Sequence, residues 1–357
     1  MHASKTATVA AVIATVAVAT LAGCSMAPTS ATTATAAVEP LVLYSAMGYD
    51  SAIAKAFTAA TGIPVNLVDD STGPLLTKIA AETNNPQWGA FWADGNTAFA
   101  ALDAQGQLAA YTPKTALNTI GTSLIPADAA YTPTGTTVMA ALIYNAAVTS
   151  SVPTSYDDLL GSAYAGKVGM NDPSQSGPTY PFIAGIMNQR GGQKDGVTAG
   201  ETYFTKLKAN GLVVNPTNGD TLHALETGQI TYGLIQSSAA EGEVLKFQAA
   251  PVAGFDPKVV YLPKSTLLPG VFGIDKAASP VQQSEAQQLL EYILSPEGQA
   301  VAQGADPSGD GLYWPVVDSV KPLAGLSPFP TAYQTIDPTF WGPLQGDVVT
   351  WFDSTIK

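Results

Sequence analysis

The chain holds one cysteine, one arginine (Arg190) and two histidines in 357 residues. With a single cysteine, no intrachain disulfide forms and no Cys-rich zinc module can be built. His2 lies at the extreme N-terminus, so His223 is the only histidine of the body and a multi-histidine metal site lacks its ligands. A Ser-His-Asp triad would have to recruit that same residue, which sits between Leu222 and Leu225 in the helical pattern of a structural histidine. Cations are scarce as well: 15 Lys and Arg face 28 Asp and Glu, for a net charge of −13. Nucleic-acid binding depends on cations that neutralise phosphates, so this balance argues against it. No Walker loop or dinucleotide-binding glycine fingerprint occurs. Downstream of the N-terminal segment, no apolar run is long enough to cross a bilayer.

What is present begins at the N-terminus. Lys5 supplies a positive flank, and Thr6 to Leu21 is an Ala/Val/Thr stretch too short and too weakly apolar to span a membrane. It ends in Leu21-Ala22-Gly23-Cys24, with small residues on the cleavage side of the sole cysteine. This is the pattern of a lipoprotein signal: residues 1–23 are expected to be removed and Cys24 acylated with the two chains that stable anchoring requires. The competing reading is an ordinary signal peptide whose thiol is incidental. Residues 24–39 are rich in Ser, Thr, Ala and Pro and are expected to form a disordered tether, because they cannot bury enough surface to offset their ordering entropy. The folded body then runs from Pro40 to Lys357, too long for one core and long enough for two lobes.

Along the body, strand, polar loop and helix alternate. Leu41–Tyr44, Val65–Val68 and Phe91–Trp92 predict buried strands, each followed by a helical pattern. Val138–Tyr144, Val168–Met170, Leu212–Val214, Tyr232–Ile235, Val259–Leu262 and Val271–Ile274 continue the series. Ser295-Pro296-Glu297-Gly298-Gln299 breaks one late helix and starts another. Such alternation predicts an α/β fold with mixed, mainly parallel sheets flanked by helices.

Ligands of open α/β sheets bind beyond the carboxyl ends of the strands. Here those loops carry Ser45, Ser71, Thr72, Gly73, Asp94, Ser176, Gly177, Thr179, Asn218, Gln236, Ser237 and Ser238. Each offers hydroxyl, amide or bare backbone at a helix start, where free N–H groups and the dipole attract anions. Taken singly, each is also an ordinary cap or turn residue. The recurrence in both halves of the chain favours binding. Tyr44, Trp92, Tyr180, Tyr313 and Trp314 are candidates for cleft walls, although isolated aromatics of this kind are more often core.

At this point the chain resembles the type 2 solute-binding proteins of bacterial ABC importers, in the ferric-iron/phosphonate-like branch. The resemblance rests on Leu41-Val42-Leu43-Tyr44-Ser45, the Thr61-Gly62-Ile63-Pro64-Val65 turn, and Asn85-Pro86-Gln87 ahead of Phe91-Trp92-Ala93-Asp94. Ser176-Gly177-Pro178-Thr179, Glu226-Thr227-Gly228-Gln229-Ile230 and Leu294-Ser295-Pro296-Glu297-Gly298-Gln299 follow in the same order. It implies a two-lobe fold with the ligand in the inter-lobe cleft. The first lobe would take residues 40–134 plus 260–305 and the second 135–259 plus 306–357. It also implies a monomer outside the cytoplasm, held at the membrane by its lipid, that delivers a small-molecule ligand to an ABC permease and ATPase complex. Neither catalysis nor a cofactor or metal is expected.

The resemblance breaks where ferric relatives carry two adjacent tyrosines, since Ser238 and Ala239 stand there. The carboxylate position is kept in Asp94, but ferric iron needs hard anionic oxygens in number. Ser176, Gly177, Asn218 and Gln236 match the anion-binding positions, while Pro178 has no N–H to donate. The implied ligand is a phosphonate or phosphate ester, with or without an amine; where an amine is present, Asp69, Asp70 or Asp94 would pair with the ammonium. A ferric-iron or polyamine receptor is the alternative of the same class. A surface hydrolase using Ser237 or Ser238 with His223, or an adhesin, is the alternative of another class.

Overall fold

The computed structural model describes residues 39–357. The expected signal segment, Cys24 and the tether up to residue 38 lie outside the described residues. In chain order the elements are β1 (Leu41–Ser45), α1 (Asp50–Thr61), β2 (Val65–Asp69), α2 (Thr72–Ala81), β3 (Ala90–Asp94) and α3 (Asn96–Ala104). Next come β4 (Leu108–Ala109), α4 (Thr119–Ser123), β5 (Tyr131–Met139), β6 (Ala141–Asn145) and β7 (Val168–Asn171). Then follow α5 (Thr179–Ala209), β8 (Val213–Asn215), α6 (Asn218–Glu226), β9 (Tyr232–Ile235), α7 (Ser237–Ala249) and β10 (Pro257–Val260). The last are β11 (Thr266–Asp275), α8 (Pro280–Leu294), α9 (Pro296–Ala305), α10 (Pro338–Trp341) and α11 (Gln345–Thr355).

The strands form two sheets. The first has the order β2-β1-β3-β11-β4, with β5 also paired to β11, and the second has the order β10-β6-β9-β7-β8. Pairs joined by βα units are parallel, as the alternation predicts: β1 with β2 and β3, β7 with β8 and β9. Strands that arrive from the other sheet are antiparallel, β11 in the first and β6 in the second, so both sheets are mixed, as expected.

The chain passes between the sheets at Ala140, which separates β5 from β6, and returns between β10 and β11. Val138–Tyr144, expected as one strand, is therefore two strands in different sheets. Its unbroken apolar run has no period to mark the change, since every residue from Val138 to Ile143 is buried. A third passage runs beside β5, where Thr136 and Trp314 exchange N–H···O bonds of 2.9 Å.

Each sheet has its own core. Leu41, Leu43, Ile53 and Phe57 pack on Leu289, Leu290 and Ile293 of α8 in the first. In the second, Met170 and Leu234 pack with Phe182, Phe204, Trp341 and Phe352. Residues 306–357, expected to belong wholly to the second lobe, divide: Tyr313, Val316 and Val317 join the first core, and Trp341, Val348, Phe352 and Ile356 the second. Helix ends follow local chemistry. Gly62, with φ 78°, ends α1, and the Ser295 side chain accepts from Gly298 N–H to start α9.

Phe352 of α11 is fully buried, with its ring centroid 5.9 Å from that of Phe204. Phe352→Ala is expected to lower unfolding stability by about 3–5 kcal/mol. Urea denaturation measures this, and a loss below about 1 kcal/mol would mean that the site collapses around the deletion.

Candidate ligand-binding site

The carboxyl ends of both sheets face one cleft of about 340 Å³. Of the expected residues, Ser71, Thr72, Asp94, Ser176, Gly177, Asn218 and Gln236 line it. Three helices begin at its wall: α2 at Ser71–Thr72, α6 at Thr217–Asn218 and α7 at Gln236. The N-caps of α2 and α7 make no side-chain capping bond, which leaves their first N–H groups free of protein side chains. Three positive helix ends therefore converge on one region.

A buried network sets the loops around them. Asn171 Nδ2 donates to Asn218 Oδ1 at 2.6 Å and to Ser176 Oγ at 3.3 Å, and Asn171 Oδ1 accepts from Thr221 Oγ1 at 2.7 Å. Asn218 Oδ1 also accepts from the Gln236 N–H at 3.4 Å. One asparagine at the end of β7 thus ties the starts of α6 and α7 to the loop before α5. That loop is further held by Asp172, whose carboxylate accepts from Ser174 N–H and Oγ and from the Lys357 ammonium.

The two rims meet at glycines. A Cβ on Gly73 would lie 2.1 Å from the Ser174 carbonyl oxygen, and one on Gly177 would lie 2.4 Å from Thr72 Cβ. Gly73 is a rim contact of α2 rather than part of the cleft lining.

Carboxylates line the same cleft, beside the start of α7. Asp94 ends β3 and is 8 % exposed, and Asp306 and Asp310 come from the segment after α9. Asp94 Oδ2 accepts from Gln236 Nε2 at 2.9 Å across the cleft. Burial, reinforced by the nearby Asp310 charge, pushes the Asp94 carboxyl up to about 7, against the lowering effect of the Gln236 bond. Burial also raises Asp310, which accepts from Gly48 N–H at 3.0 Å and Ser238 Oγ at 3.4 Å.

Other expected residues lie outside the cleft lining. Ser45 Oγ accepts from Met47 N–H at 3.3 Å, Ser237 Oγ accepts from Val138 N–H at 3.0 Å, and Ser238 stands behind Asp310. Thr179 is fully buried in the first turn of α5 with no partner for its hydroxyl. Asp69 and Asp70 are exposed and outside the lining, and Asp70 accepts from Ser71 N–H at 2.7 Å. Tyr44, Trp92, Tyr180 and Trp314 are buried away from the cleft, and Tyr313 reaches only a small chamber behind it. His223 has a 70 % exposed side chain beside Glu226, so no histidine serves Ser237 or Ser238. Among the described residues, no group of three or more His, Cys, Asp or Glu is arranged to hold a metal ion.

Sequence reasoning missed Thr217, Gly219, Lys246 and, above all, Asp306 and Asp310. The Asp306-Pro307-Ser308-Gly309-Asp310-Gly311 stretch announces a turn by composition. Nothing local says that the turn returns to the cleft.

A family model described as bacterial extracellular solute-binding protein matches residues 52–335. Among known proteins, the chain is 28% identical over 248 residues to a Salmonella paratyphi A protein named "Putative 2-aminoethylphosphonate-binding periplasmic protein", covering 68% of each chain. A protein of the same name from Salmonella typhimurium matches to the same extent. Among solved structures, iron-bound HitA from Pseudomonas aeruginosa superposes with a TM-score of 0.74 at 20% identity, covering 88% of this chain and 99% of that one. AfuA from Actinobacillus pleuropneumoniae, with fructose-6-phosphate bound, gives 0.72 at 19% identity, covering 89% and 98%.

Proposed function

The chain belongs to the bacterial extracellular solute-binding proteins, and from that premise we propose that it captures a phosphonate or phosphate ester bearing an amine and presents it to an ABC import permease and its ATPase. In this reading the two sheets are the cores of two lobes that close on the ligand, and acyl chains on Cys24 hold the receptor at the membrane.

One observation carries the ligand class: a single cleft brings three helix starts together with the carboxylates of Asp94 and Asp310. A zwitterion laid across it puts its anion on the N–H groups and its cation on Asp94 and Asp310. The absence of an arginine clamp is no obstacle. Hydrogen bonds to a charged group contribute about 1.5–3 kcal/mol each. Micromolar affinity amounts to about −8 kcal/mol, within reach of roughly six such donors after association costs. The relatives named for 2-aminoethylphosphonate support the same class.

Isothermal titration with 2-aminoethylphosphonate, ethylphosphonate, fructose 6-phosphate, spermidine and ferric citrate tests this. 2-Aminoethylphosphonate is expected to bind at micromolar Kd or tighter and ahead of the others. Preference for spermidine, ferric citrate or the amine-free sugar phosphate would overturn the reading.

A further inference from the structure

We propose that the small chamber behind the cleft is an ammonium subsite that admits a primary amine and rejects N-alkylated ones, an inference that rests on the zwitterion reading above. The chamber shares Asp94, Gln236 and Asp310 with the cleft and has a volume of about 10 Å³. That is about one water-sized sphere, the space of a single –NH3+ group.

The acceptors match three N–H donors. Asp94 has its Oδ2 bonded to Gln236, and no donor among the described residues reaches its Oδ1. That oxygen faces the chamber wall at Gly270, where an added Cβ would lie 3.4 Å from it. Gln236 uses its amide hydrogens on Asp94 and on Thr137 Oγ1 at 3.2 Å, leaving Oε1 without a donor. Asp310 Oδ1 has only the 3.4 Å contact from Ser238. No lysine, arginine or histidine lines the chamber, so the buried Asp94 and the half-buried Asp310 face it without a countercharge.

The walls cannot widen easily. Tyr49 and Tyr313 stand with ring centroids 5.9 Å apart, and the Tyr313 hydroxyl is fixed to Gln299 Oε1 at 2.9 Å. The Tyr313 ring also lies against Gly135, where a Cβ would come within 2.7 Å. Two tyrosines beside carboxylates suggest a cage for quaternary ammonium. The volume excludes one.

The test is a titration series with ethylphosphonate and with 2-aminoethylphosphonate carrying zero, one or three N-methyl groups. The primary amine is expected to bind tightest, the monomethyl form at least about tenfold weaker, and the trimethyl form no better than ethylphosphonate, each tenfold corresponding to about 1.4 kcal/mol. In Asp310→Asn the gap between the primary amine and ethylphosphonate should shrink. Equal or tighter binding of the trimethyl form would overturn the subsite and leave the zwitterion reading standing. Failure of the whole series to bind would overturn that reading, and the subsite with it.

Discussion

Asp94→Asn is expected to bind 2-aminoethylphosphonate about a hundred- to several-thousand-fold more weakly than the parent protein while melting at a higher temperature above pH 7. The binding loss follows from removing one partner of a buried ion pair, which costs about 3–5 kcal/mol because the remaining charge has no mate. The stability gain follows from proton linkage. The folded Asp94 carboxyl is raised from 3.8 to about 7, so between those values the folded state holds a proton that the unfolded state has lost. Stability is therefore complete below the unfolded value and declines as pH rises toward 7. At one pKa unit per 1.36 kcal/mol, the full penalty above pH 7 is on the order of 4 kcal/mol. Asparagine carries no such charge and still accepts from Gln236, so the penalty disappears. Titration calorimetry and melting curves at pH 4 and pH 8 check both signs. The melting curves of variant and parent should converge at pH 4. A variant that melts lower than the parent at pH 8 would mean that Asp94 already has a hidden cationic partner.

The second large effect is expected at the rim. Gly73→Ala places a methyl group 2.1 Å from a carbonyl oxygen of the opposite loop, and backbone cannot rotate away as a side chain can. The strain is relieved by parting the rims, that is, by opening the cleft. Overpacking of this kind costs about 1–3 kcal/mol, or roughly ten- to a hundred-fold in affinity. Thermal unfolding without ligand should stay near the parent value, because the open form relieves the clash. Small-angle scattering should show a larger radius of gyration for the variant. Parent-like affinity in Gly73→Ala would show that the bound state does not bring α2 against the 174–177 loop. Gly177→Ala, with its Cβ 2.4 Å from Thr72 Cβ, provides an independent second variant.

Much of the candidate cleft was legible because strand ends and helix starts are local facts. Val65–Asp69 followed by Ser71-Thr72, or Tyr232–Ile235 followed by Gln236, announces a loop at the carboxyl edge of a sheet. Seven of the expected residues accordingly line the cleft. The failures share one cause. Ser45, Ser237 and Thr179 have the chemistry of ligand contacts, but their side chains are turned into the protein, where Ser45 and Ser237 hold main-chain groups. Cap and ligand contact require the same residue types, so composition cannot separate them. Asp310 shows the converse. It sits far along the chain from Gly48 and Ser238, and only the third passage between the sheets brings it to them.

By itself the sequence determined the α/β architecture through its βα period, and its one arginine, one body histidine and acidic balance argued against nucleic-acid binding and multi-histidine metal sites. Those are properties of counts and of near neighbours, which survive without coordinates. Only the tertiary structure decided where the strand at Ala140 changes sheet, which acids share the cleft, and which glycines let the rims touch. Each depends on residues distant in sequence meeting in space, and the free energy of such meetings is written in packing and desolvation rather than in local pattern.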